Sequence, residues 1–173
     1  MKINLTSAAM QTQISPPKSA KPYTRGASLP SLLRERILIL DGAMGTMIQQ
    51  KKFSEADYRG LQHSQRFANH PGDLKGNNEL LVLTQPAAIR QIHDEYLAAG
   101  ADIIETNTFG ANWANLAEYG IEDRIYELAF AGGKIAREAA DAASTKDKPR
   151  FVLGSLGPGT KLPSLGHTTY QKL

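Results

Sequence analysis

ILILDGAMGTMIQQ, residues 37–50, joins four consecutive apolar side chains to an Asp-Gly pair and then to a segment of helical character. An unbroken apolar run of this length predicts a β-strand that is covered on both faces, as in a parallel sheet. Asp41 and Gly42 follow the run directly. The stretch therefore predicts a buried strand over 36–41, a helix over 43–50, and a carboxylate at the point where they meet.

The same alternation of strand and helix continues along the chain. A helix is predicted from an N-cap at Thr84 to a C-terminal glycine at Gly100, with apolar side chains spaced along one face. The other predicted elements are two strands and two helices: 101–106 and 150–155, and 111–119 and 121–143. No hairpin signal separates the strands, so the pattern predicts an α/β fold with parallel strands joined by right-handed crossovers.

Each predicted strand ends in small or polar residues. Asp41-Gly42 ends the first, Glu105-Thr106-Asn107-Thr108 the second, and Gly154-Ser155 the third. The carboxyl ends of parallel strands share one edge of the sheet, where α/β proteins bind their ligands. Asp41 and Glu105 could form a carboxylate pair for acid–base work, or each could hold a loop by accepting backbone N–H bonds. A carboxylate beside Gly-Ala also suits an amino-acid ligand, because it can accept an ammonium group while the turn holds the ligand's carboxylate.

Composition excludes several classes of function. The chain has no cysteine, which rules out disulfides and any zinc site built from this chain's own thiolates. The glycines of DGAMG and GSLGPG match neither a P-loop nor a dinucleotide fingerprint. His63, His70 and His167 lack metal-ligand spacing, and His93 is expected on a helix surface. Trp113 and Tyr119 are expected to pack rather than to stack on a ligand.

Charge and hydropathy exclude two further kinds of partner. The net charge is +3, but residues 1–34 hold five basic residues and no acid, so the remaining chain carries −2. The basic character therefore belongs to the N-terminal segment and does not indicate nucleic-acid binding. No apolar run reaches the length of a membrane span. Residues 1–30 are predicted to be a disordered basic leader, with an organelle transit peptide as the alternative.

Four segments in a fixed order carry a family resemblance. RILILDGAMGTMIQ, DLKGNNELLVLTQP, YLAAGADIIETNTFGAN and GSLGPGTKLPSLGH resemble the homocysteine-binding module of the homocysteine S-methyltransferase family, in its cobalamin-dependent methionine synthase branch. The resemblance runs from about Arg34 to Leu173. It implies a (β/α)8 barrel, with residues 31–173 forming its first three βα units.

The resemblance also implies the chemistry. In this family a zinc ion held by three cysteines binds the homocysteine sulfur, and the thiolate attacks a methyl group. In the methionine synthase branch the methyl group comes from methylcobalamin, which is remethylated from methyltetrahydrofolate on other modules. Asp41 and Gly42 match the family's contacts to the amino-acid part of homocysteine. Asn107, Thr108 and Phe109 match a rim segment of the family to which no definite role is carried over, and Glu105 is a possible further rim residue.

The sequence departs from the family pattern in its length. About three strands in 173 residues fall short of the roughly 250 residues of a full barrel, and the zinc cysteines are absent. We therefore expect a truncated product, a split subunit or a partial sequence that is inactive alone and binds neither zinc nor methylcobalamin by itself. Alternatives are a fragment of a cobalamin-independent homocysteine or betaine-homocysteine methyltransferase and a non-catalytic α/β binding fragment. The expected compartment is the cytoplasm.

Overall fold

The structure, a computed structural model, describes residues 26–161, 163–169 and 171. Its longer elements alternate as the sequence predicts. In chain order the helices and strands are α1 Leu29–Glu35, α2 Met44–Gln50, α3 Glu55–Tyr58, α4 Leu81–Thr84, α5 Pro86–Ala99, β1 Ile103–Glu105, α6 Trp113–Leu116, α7 Ile125–Ala143 and β2 Phe151–Leu153. Short 3-10 turns lie at Asn78–Leu80, Ala117–Tyr119, Glu122–Arg124 and Pro163–Leu165.

The sheet is parallel, which confirms the predicted α/β class. β1 pairs with β2 so that Ile103 lies opposite Phe151 and Glu105 opposite Leu153. Leu40 joins Ile103 through a single parallel bridge on the other side of β1. The order in space is therefore the 37–41 segment, β1, β2, and all three run in the same direction, so their carboxyl ends share one edge.

The prediction of a buried strand over 36–41 is wrong in two respects. Only Leu40 pairs as a strand residue, and Ile37, Ile39 and Leu40 are 86%, 58% and 44% exposed. The helices pack on other parts of the sheet, and no element within the described residues covers these side chains. The apolar run has the composition of a strand that is packed on both faces, but the described elements leave it exposed.

An ion pair anchors this exposed segment to β1. The two terminal guanidinium nitrogens of Arg36 donate to the Asp102 carboxylate at 2.9 and 2.8 Å. The Ile39 N–H donates to the same carboxylate at 3.0 Å. The hydrogen bond from Arg36, the largest influence, holds the pKa of Asp102 at about 2. Asp102 N–H also donates to Ile39 O at 2.8 Å. Polar contacts therefore keep the segment parallel where apolar packing does not.

The core lies between the sheet and two long helices. Ile104 of β1 packs against Leu97 of α5 and against a small-residue stripe of α7: Ala136, Ala139 and Ala140. A second apolar cluster joins α4, α5 and α7 through fully buried side chains that include Leu80, Leu81, Ile89, Ile92 and Leu128. Burying each such side chain contributes roughly 1.5–3 kcal/mol, so this packing fixes the helices behind the strand tips.

Two predictions on the helix at Pro86 need correction. Thr84 is not its N-cap: Thr84 ends α4 and donates its hydroxyl to Leu80 O, while Gln85 caps α5 without a side-chain bond. His93 is not on the surface but fully buried, and neither ring nitrogen has a hydrogen-bond partner in the part of the chain that the structure describes. Burial lowers the pKa of His93 to about 4. Gly100 does end the helix, in the left-handed conformation at φ 114°.

Other predictions are confirmed in part. Tyr119 packs against the core as expected, but Trp113 is 64% exposed and does not. The helix predicted over 121–143 begins as a 3-10 turn and becomes α-helical at Ile125. Residues 1–25 of the predicted leader lie outside the described residues, and α1 begins at Leu29, within the leader's predicted end. No helix in the described ranges combines the length and the apolar character needed to cross a bilayer.

Candidate functional site

A cavity of about 490 Å³ opens at the carboxyl ends of the strand segments. Its lining brings together three stretches that the sequence predicted to meet, and adds a fourth from the turn before α4. The lining residues are Asp41, Gly42, Ala43, Met44, Gly45, Asn78, Glu79, Glu105, Thr106, Asn107, Phe109 and Ser155. Of the predicted site residues, Asp41, Gly42, Glu105 and Asn107 therefore share one cavity, and Thr108 lies buried beside it.

Two hydrogen bonds to the backbone of β1 hold Asp41, one from its backbone and one to its side chain. Its N–H donates to Ile103 O at 2.9 Å, and its carboxylate Oδ2 accepts from the Glu105 N–H at 3.1 Å. The other oxygen, Oδ1, is buried without a hydrogen-bond partner in the described structure. Burial raises the pKa of Asp41 to about 6, and the negative charge of Glu105 adds to the rise. The carboxylate is therefore ionised at neutral pH but poorly stabilised.

The Asp-Gly turn is packed tightly against α5. A Cβ on Gly42 would lie 3.1 Å from the hydroxyl of Tyr96, and that hydroxyl donates to Ala43 O at 3.4 Å. The glycine thus allows the close approach of Tyr96, which fixes the turn between the strand segment and α2. The turn backbone lies at the cavity wall as a result.

Threonine hydroxyls tie the tip of β1 to the tip of β2. Thr106 Oγ1 and Thr108 Oγ1 are 2.6 Å apart, Thr108 Oγ1 donates to Ser155 O at 2.8 Å, and Ser155 N–H donates to Thr106 Oγ1 at 2.9 Å. Both threonines are buried. This network gives Thr108 a positioning role behind the cavity rather than a place in its lining.

Sequence reasoning missed the contribution of the 3-10 turn before α4. Asn107 Nδ2 donates to Asn78 O at 2.8 Å, and Glu79, only 8% exposed, accepts from the Gly110 N–H at 2.8 Å. The sequence did contain a signal for this turn, because asparagine is a preferred N-cap residue. Asn77 caps the turn, so the Asn-Asn-Glu run before the apolar LLVL is the start of a helix and not an open loop.

The donor set at the rim does not fit a zinc–thiolate centre. The sequence holds no cysteine, and within the described ranges no three His, Asp or Glu side chains are grouped as metal ligands would be. His70 instead places Nε2 2.8 Å from Tyr119 O, away from the rim cavity. Carboxylate, amide and backbone groups remain, and these suit an ammonium-bearing organic ligand.

The fold and the rim define a class of protein. A parallel α/β chain with carboxylates gathered at the strand tips is similar to enzymes that bind small substrates there. The model of the homocysteine S-methyltransferase family matches residues 38–173, and the chain belongs to that family. The resemblance found in the sequence is thereby confirmed.

Two of the relatives that match this chain are methionine synthases. The chain is 44% identical over 153 residues to methionine synthase of Mycobacterium leprae, and 44% identical over 152 residues to methionine synthase of Mycobacterium tuberculosis. Each alignment covers 88% of this chain and 12% of the relative. The chain therefore spans about an eighth of the length of these curated relatives.

Solved structures agree on the fold. The homocysteine methyltransferase MmuM of Escherichia coli, in its metallated form, superposes with a TM-score of 0.54 at 26% identity, over 75% of this chain and 41% of that chain. Its oxidised form gives the same TM-score at 27% identity and covers 40% of that chain. The described fold thus corresponds to less than half of a homocysteine methyltransferase.

Proposed function

We propose that this chain forms the homocysteine-binding part of a methionine synthase, which methylates homocysteine to methionine in amino-acid biosynthesis. The observation that carries the proposal is the 44% identity to two methionine synthases across 88% of the chain, together with the cavity at Asp41. The identity of 26% to a stand-alone homocysteine methyltransferase is lower, which favours the methionine synthase branch over the cobalamin-independent one.

In this proposal Asp41 accepts the α-ammonium group of homocysteine. Its carboxylate is ionised at neutral pH and lacks a donor at Oδ1. Because χ2 of aspartate is soft, either oxygen can turn toward the cavity. An ammonium donor would stabilise the charge that burial opposes, and charge-assisted bonds of this kind are the strong ones. Glu105 lines the same wall and adds negative potential.

The other end of the amino acid is assigned to the backbone. Gly42 and Ala43 line the cavity beside Asp41, which supports assigning the ligand carboxylate to their N–H groups. Asn107 and Thr108 hold this wall through Asn78 and Ser155. The chain's own residues thus bind and orient the substrate, and the polar network keeps the three strand tips at fixed separation.

The fold proposal is that these elements are the first βα units of a (β/α)8 barrel. The parallel order of the three segments and the partial match to MmuM support it. The exposed apolar side chains of 37–40 and Leu153 are then surfaces that further strands and helices cover in the whole barrel.

Zinc and methylcobalamin belong to the proposed whole enzyme. Zinc would supply a thiolate from homocysteine at neutral pH. Since the residues of this chain do not fit a zinc–thiolate site, no step through the metal is assigned to them. Folate and cobalamin modules, on the same or a separate chain, are the proposed partners, and the cytoplasm is the proposed compartment.

Calorimetry with three ligands tests the binding proposal. The 173-residue chain is titrated with L-homocysteine, with L-2-aminobutyrate, which lacks the thiol, and with 4-mercaptobutanoate, which lacks the ammonium group. We expect the first two to bind within about tenfold of each other, because the thiol adds only modest apolar contact here. Loss of the ammonium group should weaken binding by at least about tenfold.

The outcome against the proposal is equally definite. A chain that is folded by circular dichroism and binds none of the three at millimolar concentration contradicts it. So does equal affinity for all three, because the cavity would then not recognise the amino-acid group.

A further inference from the structure

Glu79 is a buried carboxylate at the wall between two cavities. It lines the 490 Å³ cavity that holds Asp41, and also an adjoining cavity of about 230 Å³ that includes Gly76, Asn112 and Gly159. One carboxylate oxygen accepts from the Gly110 N–H at 2.8 Å. A Cβ on Gly110 would lie 2.8 Å from that oxygen, so only a glycine at this position allows the carboxylate to approach the backbone so closely.

Among the residues that the structure describes, no lysine or arginine forms an ion pair with this carboxylate. No lysine or arginine lines either cavity, and the ion pairs of the described residues do not include Glu79. Burial and, next, the negative charge of Glu79 raise the pKa of Tyr119. The same charge contributes to the raised pKa of Tyr58, after burial. Tyr119 and Tyr58 are therefore both close enough to Glu79 to respond to its charge.

Burying a charge without an opposite charge nearby costs free energy, and proteins normally place a charge of opposite sign beside such a group. Loop support alone does not require the charge, because a neutral amide oxygen can also accept the Gly110 N–H, although in a weaker hydrogen bond. Glu79 lies in the first turn of the 3-10 helix Asn78–Leu80, where a negative charge is favoured, and a cation that enters from one of the two cavities would give the charge a further use. The Asp41 cavity is the larger and holds two more carboxylates, Asp41 and Glu105.

We propose that Glu79 is a specificity-determining residue that recognises the α-ammonium group of the amino-acid substrate together with Asp41. This rests on the proposed function of the cavity and adds a third carboxylate to it. Asp41 holds the ammonium group from the first strand segment, and Glu79 approaches it from the 3-10 turn that lines the same cavity. The substrate cation is the countercharge that the described residues do not supply.

Glu79→Gln separates the charge from the hydrogen bond. The glutamine side chain has nearly the same shape, and its Oε1 can still accept from Gly110. Glu138→Gln is the matched control, since Glu138 is 56% exposed on α7 and forms only a 3.8 Å surface pair with Lys134. L-homocysteine and 4-mercaptobutanoate are titrated into the 173-residue chain and into both variants.

The expected result is a change in selectivity. Glu79→Gln should bind L-homocysteine about 10- to 100-fold more weakly and 4-mercaptobutanoate as the unmodified chain does, while Glu138→Gln changes neither. In the unliganded Glu79→Gln chain, the pKa of Tyr119, followed by NMR, should also fall toward its ordinary value. This second measurement does not depend on any ligand.

Three results would overturn the inference, and they can be told apart. If Glu79→Gln weakens both ligands equally, Glu79 only supports the loop. If it weakens neither while the unmodified chain prefers homocysteine, Asp41 and Glu105 suffice and the proposed function stands without Glu79. If the folded, unmodified chain binds no homocysteine, the proposed function fails, and the assignment of Glu79 fails with it.

Discussion

The carboxylate of Asp41 accepts a hydrogen bond from the backbone N–H of Glu105 at 3.1 Å, across the tips of two adjacent strand segments. This contact matches one of the two alternatives that the sequence left open for Asp41, a carboxylate that holds a loop by accepting a backbone N–H bond. One oxygen holds a loop, while the other is buried and has no donor among the described residues. The residue therefore contributes to the rim geometry, and the proposed function assigns its second oxygen to the ammonium group of the substrate.

Asp41→Asn should separate binding from stability. We expect L-homocysteine to bind about 10- to 100-fold more weakly, because the ammonium group loses its anionic partner. The free energy of unfolding at pH 7 should rise, on the order of 1 kcal/mol, because the ionised form is disfavoured by burial in the fold. Calorimetry and urea unfolding measure the two effects. Asp94→Asn, on the exposed face of α5, is the control.

The stability of the chain should depend little on pH between 4 and 6.5 as far as Asp41 and His93 are concerned. Asp41 has its pKa raised from 3.8 to about 6, so its contribution to stability is present below pH 4 and lost as pH rises through 6. His93 has its pKa lowered from 6.5 to about 4, so its contribution is present above pH 6.5 and lost as pH falls through 4. The two trends oppose each other.

Single variants should expose each trend. Asp41→Asn leaves His93 and should lose stability toward acid, whereas His93→Leu leaves Asp41 and should lose stability as pH rises from 4 to 6. Each slope is at most about 1.4 kcal/mol per pH unit. Urea midpoints at pH 4.5 and 6.5 give the comparison. If both variants keep the profile of the unmodified chain, neither group titrates as assigned.

Two adjacent glycines of α7 should respond in opposite ways to alanine. A Cβ on Gly132 would lie 2.7 Å from Thr108 Cγ2, and Thr108 is fixed by its bonds at the strand tips. Gly132→Ala should therefore destabilise the fold by roughly 1–3 kcal/mol. A Cβ on Gly133 meets nothing within 4 Å, so Gly133→Ala should stabilise by roughly 0.5–1 kcal/mol. Thermal unfolding of the two variants decides this.

Asp102→Asn should loosen the exposed strand segment. Loss of the charge weakens the contacts to Arg36 and Ile39, and we expect unfolding to become easier by about 2 kcal/mol at pH 7. The pKa of Asp102 is lowered, so its contribution is present above about pH 4 and lost as pH falls through 2. Hydrogen exchange of the Ile39 amide reports the loosening. Unchanged exchange in a folded variant would contradict the anchoring role.

Local patterns were predictable where one segment carries the signal. Gly100 and Gly120 end helical segments in the left-handed conformation as their positions predict. Failures occur where another segment decides. Thr84 has the side chain of an N-cap, but α4 packs it into the core, and His93 occupies a helix position that only the packing of the core makes fully buried. Glu79 escaped notice because its partner, Gly110, is 31 residues further along the chain.

The sequence by itself determined the alternation of strand and helix, the parallel class and the family, because each depends on the order and spacing of residues along the chain. It also placed Asp41, Gly42, Glu105 and Asn107 at strand ends. Only the tertiary structure decided that Glu79 joins them in one cavity, that Thr108 lies behind the cavity wall, and that no described element covers Ile37, Ile39 and Leu40. These depend on which distant segments meet, and therefore on packing, desolvation and charge at close range, which no single stretch of sequence contains.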